Sequence, residues 1–237
     1  MNIKKYAAGV AIVSLLGGCA QTQVPQVLEG EKTKKGVAIG AVAGAILGTV
    51  TGKGNKAKRA AAGATIGAAI GGVIGYSLDK QAKEIAQVLD TTVDNSPNAE
   101  VKSDKDIIVT KTNNYVKITF REAMMFPTNS SKLTASAKYK VKKMIAVLRG
   151  YPTTIIQVVG HTDDRGTHAY NQRLSEKRAH SVAMLIKNSG IENRVYQKGC
   201  SFDKPVVPNS SEKNMALNRR VEIFLYPDES FVVNQCI

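Results

Sequence analysis

The chain has 237 residues, with 33 Lys and Arg against 19 Asp and Glu for a formal charge of +14. That length allows one or two domains, enough for one proper core plus appendages. The cationic surplus is often a nucleic-acid signal, but there is no Trp, aromatics make up 5% of residues, and no recognised nucleic-acid motif is present; anionic polymers and lipid headgroups at a membrane suit the charge equally well.

Residues 1–18 read as a secretory signal, with Lys4 and Lys5 as the charged start and Ala7 to Leu16 as the apolar run. The run ends in Leu16-Gly17-Gly18-Cys19, which resembles a lipobox. The resemblance implies cleavage before Cys19 and lipidation of its thiol, a covalent lipid rather than a cofactor; a plain cleaved signal or an uncleaved anchor is the alternative. Ala20 stands where an aspartate would resemble an inner-membrane retention signal. The expected location is therefore the outer membrane, with the C-terminal domain in the periplasm.

Residues 19–35 form a short polar tether. A strict repeat follows in residues 36–90: Gly36, Gly40, Gly44, Gly48 and Gly52, then a cationic interruption from Lys53 to Arg59, then Gly63, Gly67, Gly71 and Gly75. Each glycine inside a helix costs about 1 kcal/mol relative to alanine. Spacing by four aligns them on one helical edge, where a second backbone can approach closely enough to offset that cost.

The pattern resembles the glycine-zipper two-helix domain of bacterial envelope proteins. Arms of about 17 to 19 residues would span roughly 25 to 29 Å, short to adequate for a bilayer core. A membrane-embedded hairpin is expected, the alternative being a hairpin lying on the membrane or packed against itself or a neighbour. Neither Gly36–Gly52 nor Ala60–Leu78 carries an acidic or basic residue, which counts against coupling to an ion-driven motor. Leu78, Ala82, Ile85 and Leu89 extend the second arm as an amphipathic stalk or packing helix, and residues 91–105, with Asn95 and Pro97, read as a linker.

A soluble domain is expected over 106–228, with a tail at 229–237. Asp106–Lys111 and Tyr115–Phe120 form a hairpin-like pair in which Val116, Ile118 and Phe120 share one side. A helix is predicted from about Thr134 to Arg149, with Ala137, Val141, Met144, Ile145 and Leu148 on one face. Thr154–Val159, Arg194–Gly199 and Arg220–Tyr226 supply further strands. The fold class is an α/β sandwich of βαβαβ type, helices packed on one face of a mixed sheet.

Between the Thr154 strand and a second helix running to about Asn188 lies Gly160 to Ala179. With Leu174 as reference, Tyr170, Val182, Leu185 and Ile186 make one apolar stripe at about 100° per residue, and Arg178 falls near its middle. A guanidinium there is expensive unless paired. The acids of the preceding turn are Asp163 and Asp164, and Asn171 shares Arg178's side. Two readings are open: a structural ion pair that orients the turn, or a recessed site in which an acid and an arginine grip a ligand carrying both an ammonium and a carboxylate.

The words G-H-T-D-x-x-G from Gly160, Y-N-x-x-L-S-x-x-R-A from Tyr170, and N-R-R-V-E from Asn218 resemble the signature of the OmpA-like peptidoglycan-binding domain. The loop from Phe126 to Leu133 resembles the family's loop before its first helix, with Pro127 where an aspartate is common. The likeness implies that Asp163 and Arg178 hold the two ends of the diaminopimelate side chain of the peptidoglycan stem peptide, with Asn171, Arg219 and Thr162 as further ligand-contacting positions. A carboxylate suits the ammonium, and a planar guanidinium can take the carboxylate in a two-pronged grip.

Cys200 and Cys236 remain; in an oxidising compartment they can form a bridge or stay as two buried thiols. His161, Asp163 and Asp164 lack a third ligand at metal-binding spacing and no nucleophile motif is present, so no metal, cofactor or catalysis is expected. The expected function is an outer-membrane lipoprotein that tethers the membrane to the cell wall. Its alternative makes the glycine hairpin an oligomerising element, or part of an envelope or secretion machine, with the wall-binding domain as a mooring.

Overall fold

The computed structural model describes residues 77–237. The signal-like stretch, Cys19 with its tether, and the glycine repeats expected to form a hairpin lie outside the described residues. Among the described residues no helix is long and apolar enough to cross a membrane.

Five strands, β1 (Ile107–Lys111), β2 (Val116–Arg121), β3 (Ile155–His161), β4 (Val195–Gly199) and β5 (Arg220–Tyr226), form one sheet of order β1-β2-β5-β3-β4. Only β3 and β4 run parallel; the other neighbours are antiparallel. The helices are α1 (77–88), α2 (Ala99–Lys102), α3 (Glu122–Met125), α4 (Ala135–Leu148), α5 (His168–Lys187) and α6 (Glu212–Asn218). Local chemistry sets the long helices' starts, since Thr134 accepts from the Ala137 N–H and Thr167 from that of Tyr170. Gly190, at φ 73°, turns the chain out of α5.

The principal core lies on the helical face of the sheet, where Val109, Ile118, Phe120, Ile156, Val158, Ile223 and Leu225 meet α4 and α5. Of the two roles expected for the helix around Leu78–Leu89, stalk or packing helix, the structure shows packing on this core. Leu78, Ala82, Ile85 and Leu89 are buried in it, and Gln81 donates to the Thr154 hydroxyl at 2.9 Å. An apolar stripe of that length is worth more packed on the sheet than left in water.

The stretch 91–105, by contrast, departs from the expected linker. Val93 bridges to Val109, Ala99 is buried, and α2 brings Glu100 within 2.7 Å of Lys117. The domain boundary placed at 106 therefore cuts through a continuous packed unit.

The opposite face of the sheet is also covered. Ile155, Val159, Phe224 and Tyr226 pack under Phe231, Val232 and Cys236 of the tail, and Cys200 and Cys236 are joined in a disulfide with a Cα–Cα distance of 5.1 Å. The tail turns β5 into a strand buried along its whole length, rather than one that merely alternates.

Beyond the apolar part, the tail side of the sheet carries buried charge. Glu222 accepts from Arg220 Nε at 2.8 Å and lies 3.3 Å from His161 Nε2 and 3.9 Å from Lys117. Burial pushes the Glu222 pKa up, but Arg220, with His161 and Lys117, outweighs it and holds the carboxyl well below its usual 4.5. Burial, reinforced by Arg220, lowers the His161 pKa from 6.5, and Glu222 only partly opposes this.

The apolar stripe drawn on α5 is rotated in the structure. Tyr170 is exposed and Leu174 half-buried, while Asn171, Ser175, Arg178, Ala179, Val182, Ala183 and Ile186 are buried. The cause is close approach of backbones: a Cβ on Gly160 would sit 2.3 Å from the Ser175 carbonyl oxygen, and one on Gly199 2.4 Å from the Glu176 nitrogen. With two strands lacking side chains there, small polar residues rather than leucine face the sheet.

Three outcomes follow from this packing. Gly160→Ala forces apart two backbones that cannot rotate away, and is expected to destabilise by about 2 kcal/mol or more, read as a lowered denaturant midpoint. Reducing the Cys200–Cys236 bridge, which closes a separation of 36 residues, is expected to cost about 3 to 4 kcal/mol, seen in thermal melts with and without reductant. Acid should also destabilise the fold. His161 takes up a proton more readily unfolded than folded, so stability present above pH 6.5 falls below it; Glu222 adds to the loss below 4.5. Denaturant midpoints across that range should fall with pH, and His161→Gln should flatten the upper part of the curve.

Candidate functional site

Strand β3 carries the chain out of the core to His161 and delivers Thr162 and Asp163 at the rim. The Thr162 N–H donates to the Ser201 carbonyl at 2.9 Å, which fixes the chain where it leaves the sheet. Asp163 then folds the turn on itself, accepting the Arg165 backbone N–H on Oδ1 at 3.2 Å. Gly166, at φ 92°, completes the turn into α5.

Asp163 is 5% exposed and its Oδ2 is heavily used. It accepts from Arg165 Nη2 at 2.7 Å and Nε at 3.1 Å, and from Arg219 Nη1 at 2.7 Å. Burial would raise its pKa, but the two arginines outweigh burial and lower it from 3.8. Among the described residues Oδ1 receives only the Arg165 N–H.

Arg178 is 3% exposed and its partner is not an acid of the preceding turn, as the pattern suggested. Nη2 donates to Glu122 Oε1, Nε donates to the Ser130 carbonyl at 3.1 Å, and the guanidinium stands over the Phe126 ring at 5.3 Å. Burial lowers its pKa from 12.5, with Glu122 opposing; the group stays charged. Asp164 is exposed. Sequence proximity misled here because α3, at the end of β2, reaches Arg178 across the fold.

Arg219 joins the two halves. It donates to Asp163, lies with Nε 2.8 Å from Glu122 Oε2, and holds Glu212 through Nη2 at 2.8 Å. Glu212 is held in turn by Arg165 Nη1 at 3.0 Å. The network thus contains three carboxylates, Asp163, Glu122 and Glu212, and three guanidiniums, Arg165, Arg178 and Arg219. It opens on a cleft of about 660 Å³ lined by Glu122, Phe126, Arg165, Glu212 and Arg219, and by Lys102, the last residue of α2.

Of the residues singled out from the sequence, Asp163, Arg178 and Arg219 are brought into one network. Asn171 serves the turn itself, donating from Nδ2 to the Arg165 carbonyl at 2.9 Å. Thr162 is buried with its hydroxyl unpartnered among the described residues. Glu122, Arg165 and Glu212 were missed; the burial of Arg178 calls for an acid, but nothing local in the sequence says that Glu122, 56 residues away, supplies it. Among the described residues no group of His, Cys, Asp or Glu is arranged to hold a metal.

Residues 125–219 match the model of the OmpA family, and residues 1–79 match that of the YMGG-like Gly-zipper. Escherichia coli K12 YiaD, by name a lipoprotein, is 33% identical over 122 residues, covering 51% of this chain and 56% of YiaD. The outer-membrane lipoprotein YfiB of Pseudomonas aeruginosa is 31% identical over 103 residues, covering 43% of this chain and 61% of its own. Outer membrane porin F of the same species is 39% identical over 99 residues, 41% of this chain and 28% of the porin. The chain thus spans little more than half the length of YiaD and under a third of the porin. Among solved structures, a MotB-like protein from Desulfovibrio vulgaris aligns with TM-score 0.54 at 20% identity, over 64% of this chain and 94% of the other, a likeness of fold alone. Within the five-stranded unit, residues 125–219, which include the α5 turn, thus match the OmpA family, in a chain whose residues 1–79 match the glycine-zipper family.

Proposed function

We propose that this chain is an outer-membrane lipoprotein, anchored through Cys19, whose OmpA-family domain holds peptidoglycan non-covalently by the diaminopimelate side chain of the stem peptide. The observation that carries the reading is the charge-balanced network at the cleft. A site with three carboxylates and three guanidiniums favours a ligand end that is itself neutral overall and carries both signs. Spare valences lie at the two ends: Asp163 Oδ1 for an ammonium, and Arg178 Nη1, without a partner among the described residues, for a carboxylate. Those two residues are the pair to which the family likeness assigns the ligand.

In this reading the domain binds and does not catalyse. The names of YiaD and YfiB support the lipid anchor, and the glycine repeats supply contacts to membrane lipid and to further copies of the chain. The cationic surplus of +14 favours residence beside anionic wall polymer and headgroups.

Sedimentation with purified sacculi tests the proposal. Asp163→Ala and Arg178→Ala should each weaken retention by about 30-fold or more, as expected when one partner of a buried charge contact is removed. Free diaminopimelate should release the parent protein. Variants that melt like the parent and still sediment with it would show that the wall is held elsewhere.

A further inference from the structure

Glu122 lies outside the stretch 125–219 that matches the family and in none of the motif words, yet it is the carboxylate that ties Arg178 into the network. Its Oε1 takes Arg178 and its Oε2 lies 2.8 Å from Arg219 Nε. It sits at the first position of α3, where β2 ends, and its backbone N–H donates to the Arg219 carbonyl at 3.0 Å. Its side chain is 14% exposed and lines the cleft.

Resting on the wall-binding reading above, we propose that Glu122 is a resident stand-in for the ligand's carboxylate and so determines the site's selectivity for zwitterions over plain carboxylates. A guanidinium 3% exposed needs an anion when the cleft is empty. Its other neighbours, the Ser130 carbonyl and the Phe126 ring, carry no full charge, so Glu122 is the group that supplies it. A ligand carboxylate that takes over Arg178 displaces Glu122 towards the cleft, which it already lines.

The displacement leaves one more anion in the site than the network can neutralise. A ligand that brings its own ammonium supplies the missing cation, at Asp163 Oδ1 or at the freed Glu122. A plain carboxylate brings none and is refused by repulsion at close range. Selectivity thus comes from an acid that competes with the ligand rather than from one that only attracts it.

Calorimetric titration of the full chain in detergent with diaminopimelate and with pimelate, the same dicarboxylate without amino groups, tests this. The parent should bind diaminopimelate and reject pimelate. Glu122→Gln should lose at least about fivefold of that preference by gaining affinity for pimelate, and Glu122→Asp, which keeps the charge, should restore it. Glu122→Gln is expected to melt lower when empty and to gain more melting temperature from ligand than the parent does. An unchanged preference in Glu122→Gln, or loss of both ligands in a variant that melts cooperatively, overturns the stand-in role alone. A parent that binds neither ligand, or an Asp163→Ala protein that sediments normally with sacculi, overturns the wall-binding reading and this inference with it.

Discussion

Arg178 carries a full positive charge at 3% exposure, and the cost of that burial governs how the surrounding elements are arranged. Desolvation of a guanidinium is repaid only by a carboxylate with good geometry and by acceptors for its remaining protons. Glu122, the Ser130 carbonyl and the Phe126 ring meet that need. They come from the segment between β2 and α4, so the charge on α5 pins a distant stretch of chain into place. Arg219 extends the arrangement from Glu122 to Asp163, and α5, α3 and the start of β5 become one electrostatic unit.

That unit needs a rigid support, and the close contact of α5 with the sheet provides it. Gly160 and Gly199 leave room for Ser175 and Glu176 to lie against the strands. Ser175 Oγ accepts the Ser201 N–H at 3.1 Å, and the Cys200 N–H donates to the Gly160 carbonyl at 2.9 Å. The turn that presents Asp163 is therefore backed by the segment that the disulfide ties to the C-terminal tail. Covering the far face of the sheet and bracing the site are one structural task.

A second buried charge group, Arg220 and Glu222 of β5, His161 of β3 and Lys117 of β2, lies on the strands that lead to the site. Adjacent residues on a strand face opposite sides, so Arg219 turns to the cleft and Arg220 to the covered interior. The N-R-R-V-E word thus mixes two roles. Its second arginine and its glutamate pair with each other on the sheet's far face, while the first arginine belongs to the network at the cleft.

The sequence by itself determined the strands and long helices, because alternating Val116, Ile118 and Phe120 and helically spaced Val141, Met144, Ile145 and Leu148 each bury one side. It also singled out Asp163, Arg178 and Arg219, through three separated motif words and through the oddity of an arginine in an apolar stripe. Only the tertiary structure decided which acid neutralises that arginine, since Glu122 is 56 residues away in sequence and pairing of that kind leaves no local period. The same holds for α1 and the 91–105 stretch. Their patterns show an apolar stripe and a polar, Pro-containing connection, but not that the sheet offers both a surface to cover.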